Sequence, residues 1–500
     1  MVNLRTISKI IGQLLFLESG FMIVCVAVSF YYHEEDLFAF LISLLITIGG
    51  GFFFKFLGYG ASANMSRRDA YFIVTATWVI FSAFGMLPYI IGGYITNVND
   101  AFFESMSGFT TTGATVLTSV EWLPHGILFW RSLTQWVGAL GIVFFTIAIL
   151  PSMVGGSVRI FAAEATGPIH SKMHPRLSTN AKWIWSVYLT LTFACACGFK
   201  VAGMGLFDAV NYSMTTTATG GFSIHDASIA AFHSPAIEYV AVVFMFLAGV
   251  NFTLLYIAFF KGNFSQVFKN TELKMYLSCI GVFTLVIMVI LLWQQLSALS
   301  LNTIEGAFRS SLFHVVSFLT TTGIFAGLEH GTPMADSLYV GTTHLIWLIL
   351  GGCMFLGACS GSTSGGFKCI RGVMMLEVLR NELRRILHPN AVLPVKLDGV
   401  AIGSSKIVSL LGFFTIYVLL LVIGATIMVA IGIDNINAIA ISFGCITNTG
   451  PSLATEIGPS MSWDDLPAVI KWLCSLLMLM GRIEIMSVLL LFTPSYWKDN

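Results

Sequence analysis

Four short stretches of the chain share one pattern, in which threonine is followed closely by glycine. They read FTTTGAT at 109–115, TTATGGFS at 216–223, LTTTGIF at 319–325 and ITNTGPS at 446–452. The glycines on which they align recur at intervals of 108, 102 and 127 residues and are Gly113, Gly221, Gly323 and Gly450. Recurrence of one motif along the chain indicates a repeated structural unit.

The composition places these motifs in a membrane. The chain of 500 residues is 56% hydrophobic and only 10% charged, whereas soluble proteins carry about 25% charged residues. The net charge is zero, which argues against a nucleic-acid-binding surface. One membrane domain accounts for this composition better than several soluble domains.

Hydropathy predicts ten spanning helices, because a bilayer core needs about 20 apolar residues in helical form. They are 9–32, 38–60, 71–94, 126–151, 183–203, 237–260, 275–296, 338–356, 405–431 and 467–492. The first has a basic start but no small-residue cleavage site, so we interpret it as a spanning helix and not as a signal peptide. Four further apolar segments precede the motifs and are too short to cross the bilayer: 101–110, 209–218, 311–320 and 438–447.

Each predicted repeat contains a spanning helix, a short helix, a Thr/Gly loop and a second spanning helix. The chain therefore returns to the same membrane side, and the repeats are parallel, whereas inverted repeats would place a binding site at the midplane. We predict an all-α polytopic membrane protein with four parallel helix–pore-loop–helix repeats around a pseudo-fourfold pore, preceded by a helical hairpin. The boundaries are 1–68 for the hairpin and 69–160, 161–270, 271–398 and 399–500 for the repeats.

Residue types that commonly cap helices stand thirteen positions before each aligned glycine. They are Asp100, Asp208, Ser310 and Asn437. We therefore predict that a short pore helix begins at each of them and ends near its Thr/Gly loop.

The lysines and arginines predict the orientation. With the N-terminus inside, most of them lie on the cytoplasmic side, as the positive-inside rule requires, including Arg159, Lys172, Arg176 and the basic stretch 368–396. Both termini are then cytoplasmic. Four basic residues remain near the outer ends and are expected to extend toward the interface: Arg131, Lys200, Arg309 and Lys471.

Threonine and glycine in these loops suit a dehydrated monovalent cation. An ion that sheds its water needs replacement oxygens, and rings of backbone carbonyls supply them in channel filters. Glycine permits backbone conformations that residues with a Cβ avoid. The loops contain no carboxylates, whereas calcium and magnesium sites depend on them. The pattern therefore favours potassium or sodium over divalent ions.

These motifs, each after a short helical segment, resemble the filters of the Trk/Ktr/HKT superfamily of potassium transporters. The resemblance covers essentially the whole chain, and the leading hairpin fits the bacterial members. It implies that potassium, the transported ion, is bound by filter residues at and before each glycine: Thr111, Thr112, Gly113, Thr219, Gly220, Gly221, Thr321, Thr322, Gly323, Asn448, Thr449 and Gly450. The second loop has two adjacent glycines, so its alignment could slip by one; Gly221 is chosen because it aligns Asp208 with Asp100.

The second helix of repeat three is interrupted by LGACSGSTSGGFKCIR at 356–371. A run of glycines and hydroxyl side chains is tolerated at membrane depth where it lines a cavity, although close helix packing through small residues is an alternative. The family resemblance implies a loop that obstructs the pathway beneath the filter and moves to open it. Its gate residues are Gly357, Ser360, Gly361, Ser362, Thr363, Ser364, Gly365 and Gly366.

Arg482 lies near the middle of the last predicted span, where a charge costs about 2.5–3.5 kcal/mol or more. Such residues usually face a water-filled cavity. The resemblance implies that this arginine belongs to the gate and raises the barrier to cations. The alternative is a structural ion pair, for example with Glu484.

The expected function is gated potassium uptake across the bacterial inner membrane, without enzymatic activity and without an organic cofactor. The alternative is a symporter coupled to sodium or protons, which would require intramembrane acids or unwound inverted half-helices, and neither is evident in the sequence. The family resemblance implies two partners: a second copy of the chain in a homodimer, and a cytosolic TrkA-like ring of nucleotide-binding regulatory subunits. The basic stretch 368–396 could dock that ring or simply set the topology.

The pore interpretation of Arg482 predicts the effect of removing its charge. Replacing Arg482 with alanine should raise ion flux through the protein, because the electrostatic barrier to cations is removed. Unchanged flux in a well-folded Arg482→Ala protein would contradict this role.

Overall fold

The computed structural model describes residues 3–61, 66–141, 177–294, 300–326, 328–329, 332–333, 344–391, 393–451 and 462–498. Within these ranges the chain is helical apart from two short antiparallel strand pairs: Leu328–Glu329 with Thr332–Pro333, and Lys396–Leu397 with Val400–Ala401. Six of the described helices are long and apolar enough to cross a membrane, and two bent helix pairs qualify as well. The protein is a multi-span helical membrane protein, as predicted.

The leading hairpin consists of Leu4–Tyr32 and Asp36–Leu57, joined through His33 in the left-handed conformation. The helices approach closely because Gly12 has no side chain; a Cβ there would lie 2.7 Å from the Gly51 carbonyl oxygen. The hairpin is attached to repeat one, where Glu34 accepts a hydrogen bond of 2.6 Å from the backbone N–H of His125. It therefore forms part of the folded domain.

Four repeats follow, each with an outer helix, a pore helix and an inner helix. The outer helices are Arg67–Gly85 with Leu87–Ile91, Leu177–Val201, Thr271–Gln294 and Ser404–Ile431. Pore helices 1 to 4 are Val98–Phe109, Leu206–Ala218, Leu301–Leu319 and Asn435–Thr447. Inner helices 1 to 4 begin with His125–Ala139, Pro235–Ala248, His344–Leu356 and Ala468–Arg482.

The repeats close into a ring. Inner helix 1 packs on pore helix 2, inner helix 2 on pore helix 3, inner helix 3 on pore helix 4, and inner helix 4 on pore helix 1. The predicted spans 126–151 and 338–356 extend into 142–151 and 338–343, which lie outside the described residues together with Arg159, Lys172 and Arg176.

Three pore helices begin about one turn before their predicted caps. Pore helices 1, 2 and 4 have N-caps at Asn97, Gly205 and Asp434, each sixteen residues before its aligned glycine. The Asn97 and Asp434 side chains accept backbone N–H bonds of 3.0 and 3.1 Å. The residues predicted as caps in these helices, Asp100, Asp208 and Asn437, stand instead at the third helical position.

The third pore helix departs further from the prediction. It is 19 residues long and is capped by Ser300, whose hydroxyl accepts from the Thr303 N–H at 3.1 Å. Ser310 therefore lies in mid-helix, where its carbonyl bonds the ring of buried His314 at 2.8 Å. His314 is a packed, hydrogen-bonded residue, as its position in a buried helix suggests.

Inner helices 2, 3 and 4 are interrupted within the described residues, although the sequence predicted a break only in repeat three. Inner helix 2 bends by 103° before Phe252–Lys261, and inner helix 4 bends by 118° before Ile485–Leu491. Inner helix 3 unwinds between Leu356 and Cys369. Inner helix 1 ends at Ala139, ahead of Gly141 with φ 86°. Hydropathy missed the short breaks because each is only two or three residues long and the flanking helices keep the segment apolar as a whole.

Three of the four outer basic residues form ion pairs within the protein, which corrects their predicted extension toward the interface. Lys471 lies 2.5 Å from the Asp100 carboxylate and is buried. Arg309 pairs with Glu238 and Glu305. A carboxylate on a neighbouring helix satisfies each cation inside the protein, so the side chain has no need to reach water. Arg131, the third, pairs with Glu104 at 2.9 Å.

Candidate ion filter and gate

Each filter loop, defined as the four residues that end in the aligned glycine, begins with the same backbone reversal. The second residue of each loop is left-handed, with φ between 52° and 56°: Thr111, Thr219, Thr321 and Asn448. This conformation is unusual for a β-branched residue and costs about 1–2 kcal/mol. Its presence in all four loops indicates that the surrounding structure imposes it, as is common at functional sites.

A hydrogen bond of the Schellman type closes each reversal. The residue before the aligned glycine donates its N–H to the carbonyl five positions back, at 2.9 Å for Thr112, 3.0 Å for Gly220, 2.8 Å for Thr322 and 2.9 Å for Thr449. The pore helix ends there, and the chain turns back toward the outer side. Four loops with different sequences thus acquire one backbone path.

The aligned glycines share a second left-handed position in three repeats. Gly113, Gly221 and Gly323 have φ of 83°, 84° and 75°, which only glycine adopts easily. Gly220 is not among the left-handed glycines. The backbone therefore supports the alignment of Gly221 with Gly113.

The filter loops contact one another in cyclic order. A Cβ on Gly113 would strike the Gly220 carbonyl oxygen, and one on Gly221 would strike the Thr322 carbonyl oxygen. A Cβ on Gly323 would strike the Pro451 ring, and one on Gly450 would strike the Thr112 carbonyl oxygen. Each loop is thus packed against the next, and the fourth against the first. Glycine is required because a side chain would separate the loops.

A cavity lies on the side of this ring away from the loop at 357–368. Its volume is about 80 Å³ and its lining includes all four aligned glycines. A single water needs roughly 10–15 Å³ of such volume, so the cavity accommodates several waters. It can hold a partly hydrated ion above the filter.

A buried ion pair supports the outer rim of the filter. Arg131 donates to Glu104 at 2.9 Å and to the Ser223 carbonyl at 2.8 Å. Glu104 in turn accepts the N–H of Val116 at 3.0 Å. The pair fixes the chain just beyond the glycines of loops 1 and 2. Its opposite charges balance, so no net charge is added at the filter.

Threonine hydroxyls are paired behind three of the four loops. The first and third residues of the loop bond at 2.8 Å in Thr110–Thr112, 2.7 Å in Thr320–Thr322 and 3.1 Å in Thr447–Thr449. Loop 2 has Ala218 and Gly220 at these positions. It therefore requires another support.

The gate loop, residues 357–368 between the two parts of inner helix 3, lies against the inner side of the filter. Thr363 donates its hydroxyl to the Thr217 carbonyl at 3.1 Å. Gly365 donates its N–H to the Thr321 hydroxyl at 2.6 Å, and Gly366 donates to the Thr447 carbonyl at 3.0 Å. The loop thus contacts three of the four repeats directly beneath the filter.

The predicted gate residues differ in their exposure. Gly357, Ser360, Ser362, Thr363, Ser364 and Gly365 are buried, whereas Gly361 is exposed and Gly366 is partly buried. Buried hydroxyls with backbone partners are typical of an ordered plug and not of a simple small-residue packing seam.

Arg482 reaches the same loop from inner helix 4. Its guanidinium donates to the Thr363 carbonyl at 2.9 Å and to the Gly138 carbonyl at 3.0 Å, and it also bonds the Ala139 carbonyl. The positively charged side chain of Arg482 is therefore hydrogen-bonded to backbone carbonyl oxygens at the end of inner helix 1. Glu484 forms an ion pair with Arg371.

A carboxylate that sequence reasoning missed holds both ends of the gate loop. Glu272, in the first turn of the third outer helix, accepts the Ser360 N–H at 2.5 Å and the Ile370 N–H at 3.2 Å. It is buried. The only signal in the sequence is an acid where a spanning helix begins, and hydropathy treats that position as a boundary.

Comparison with known proteins gives one consistent result. The TrkH family of cation transport proteins matches residues 37–499. The Trk system potassium uptake protein TrkH of Halomonas elongata is 35% identical over 500 residues, covering 99% of this chain and 100% of that protein. TrkH of Escherichia coli K12 is 35% identical over 503 residues, covering 100% of both chains. The crystal structure of the potassium transporter TrkH from Vibrio parahaemolyticus has a TM-score of 0.85 at 34% identity and covers 99% of both chains.

The ring of glycines makes a specific prediction. Gly113→Ala places a methyl group against the Gly220 carbonyl and forces alanine into a left-handed conformation that costs about 1–2 kcal/mol. We expect cation flux through the purified protein to fall by roughly tenfold or more. Gly352→Ala is the control, because a Cβ there meets nothing within 4 Å. Equal flux in the two variants would contradict the packed ring.

Proposed function

This chain belongs to the TrkH family of cation transport proteins, and from this premise we propose that it takes up potassium through the ring formed by its four filter loops. The observation that carries the proposal is the cyclic contact of four glycine positions, with neutral backbone oxygens between them. A bare monovalent ion needs such oxygens in place of its hydration shell. The twelve residues at and before the aligned glycines are the proposed ligands.

The pore helices assist by their direction. Each ends at its filter loop, so its partially negative carboxyl end is directed toward the ring and stabilises a cation by the helix dipole. The Thr217 and Thr447 carbonyls, at the ends of pore helices 2 and 4, accept bonds from the gate loop. These oxygens would otherwise be available to an ion that leaves the filter.

The gate loop is proposed to close the pathway below the filter. Opening requires breaking its bonds to Thr217, Thr321 and Thr447, together with the contact from Arg482. The guanidinium adds an electrostatic barrier, since its charge repels an approaching cation. Glu272 keeps the loop in place from the side of the third outer helix.

We propose an inner-membrane location with both termini cytoplasmic, on the distribution of lysine and arginine. The relatives are named as parts of a Trk system, which supports a cytosolic regulatory ring as partner, and a homodimer is proposed with it. The cytoplasmic surface offers a route for regulation. Asp398, in the turn of the second strand pair, accepts the Thr271 N–H at 2.8 Å, next to Glu272.

One observation favours the coupled-transport alternative. Glu18 is fully buried in the first spanning helix, and neither carboxylate oxygen has a hydrogen-bond partner among the described residues. An intramembrane acid of this kind is a default functional candidate. It lies in the leading hairpin, however, and not in the ring of repeats, so the pore remains the preferred pathway.

The function is tested by flux through purified protein in liposomes. We expect potassium and rubidium to pass readily and sodium and lithium poorly, because the ring of oxygens suits the larger ions. Currents should reverse at the potassium equilibrium potential. Equal flux of all four ions, or uptake that requires a sodium or proton gradient, would contradict the proposal.

The gate makes a second prediction. Glu272→Gln keeps the shape of the side chain but removes the charge that strengthens its bonds to Ser360 and Ile370. We expect basal potassium flux to rise about fivefold or more, because weakening these bonds by about 1 kcal/mol shifts the gate loop toward its open state by that factor. The control is Glu377→Gln, which removes the charge of a half-buried carboxylate that pairs with Arg380 in the second part of inner helix 3. A folded Glu272→Gln protein with unchanged basal flux would show that this carboxylate does not hold the gate.

A further inference from the structure

The second filter loop lacks the threonine pair that supports the other three. In loop 1, the Thr110 hydroxyl bonds both the Thr112 hydroxyl and the Met106 carbonyl, at 2.8 and 2.7 Å. Loops 3 and 4 repeat this arrangement. Loop 2 has Ala218 and Gly220 instead, yet its backbone follows the same path.

Gln135 of inner helix 1 occupies the vacant position. Its amide nitrogen donates to the Gly220 carbonyl at 2.7 Å, and its amide oxygen accepts the Phe222 N–H at 3.1 Å. The side chain is completely buried. The two bonds fix the amide orientation, because a flipped amide would set oxygen against oxygen and nitrogen against nitrogen.

The Gln135 amide leaves no room for a side chain at position 220, and a side chain there would leave no room for the amide. A Cβ on Gly220 would lie 2.5 Å from the amide oxygen and 2.9 Å from the amide nitrogen of Gln135. The equivalent residues of the other loops, Thr112, Thr322 and Thr449, all carry a side chain there. A side chain from repeat one thus replaces a side chain that repeat two lacks.

The two bonds of Gln135 lie on either side of Gly221, the aligned glycine of loop 2. We infer that Gln135 is a positioning residue of the filter, which holds the peptide groups flanking Gly221 and thereby sets the preference for potassium over sodium. This inference rests on the proposed function. A smaller ion requires the filter oxygens to move inward, and the Gln135 amide opposes that movement in one quarter of the ring.

The test is the potassium-to-sodium permeability ratio, from reversal potentials of purified protein in planar bilayers. Gln135→Met keeps the length of the side chain and removes both hydrogen bonds. We expect the ratio to fall roughly threefold to tenfold, the effect of losing a buried hydrogen bond, while potassium current persists. The matched control is Gln266→Met, because Gln266 is exposed and its hydrogen bonds among the described side chains are local ones with Asn263.

A second pair of variants tests whether the Gln135 amide and a side chain at position 220 exclude each other. Gly220→Ala should reduce potassium current in the native background, where its methyl group strikes the amide, and should be better tolerated together with Gln135→Ala. Equal effects of Gly220→Ala in the two backgrounds would overturn the inference. A structural role alone would lower the melting temperature of Gln135→Met and leave its permeability ratio unchanged.

The outcomes separate this inference from the proposed function. A native protein without potassium preference would refute the proposed function itself. A selective native protein whose ratio is unchanged by Gln135→Met would refute only the role of Gln135. If Gln135→Met does not fold, the nearly isosteric Gln135→Glu is tested in its place. The glutamate keeps the acceptor for the Phe222 N–H, but its second oxygen repels the Gly220 carbonyl. An unchanged potassium-to-sodium permeability ratio in Gln135→Glu also overturns the inference.

Discussion

The structure depends on holding neutral backbone oxygens close together without letting them collapse. Carbonyl dipoles repel one another, so a ring of them is stable only when the chain behind each one is fixed. Here a left-handed residue, a Schellman bond and a glycine without a side chain fix each loop. The four loops then support one another by direct contact, and the pore helices, inner helices and buried ion pairs all serve to keep that contact.

The interrupted inner helices follow from the same constraint. A filter needs a wide space below it, and helices that stop or bend there provide it while exposing carbonyl oxygens at their ends. Exposed carbonyls at membrane depth must be satisfied. The gate loop and Arg482 satisfy those of inner helices 1 and 2, since Thr363 bonds the Ala248 carbonyl at 3.2 Å and Arg482 bonds Gly138. The loop at 357–368 and Arg482 therefore also complete the broken helices structurally.

Much of this architecture could be predicted from the sequence, because hydropathy and the recurring glycines report on local properties. The four pore helices and the break after Leu356 were found in this way. The predicted cap positions lie one turn inside the helices, because a residue type that commonly caps helices can also stand in the first helical turn. Arg131 and Lys471 were misinterpreted because their partners Glu104 and Asp100 lie on other helices. Gln135 gave no signal, and Glu272 only that of an acid at the start of a span, since their partners are backbone groups far away in the sequence.

The central claim is that the four filter loops share one ion on their common axis. It is tested most directly by anomalous diffraction from crystals grown with rubidium or thallium in place of potassium. The account predicts anomalous peaks on the axis between Gly113, Gly221, Gly323 and Gly450, surrounded by backbone oxygens from all four loops. Loops that stand apart, or ions bound only elsewhere in the molecule, would contradict it.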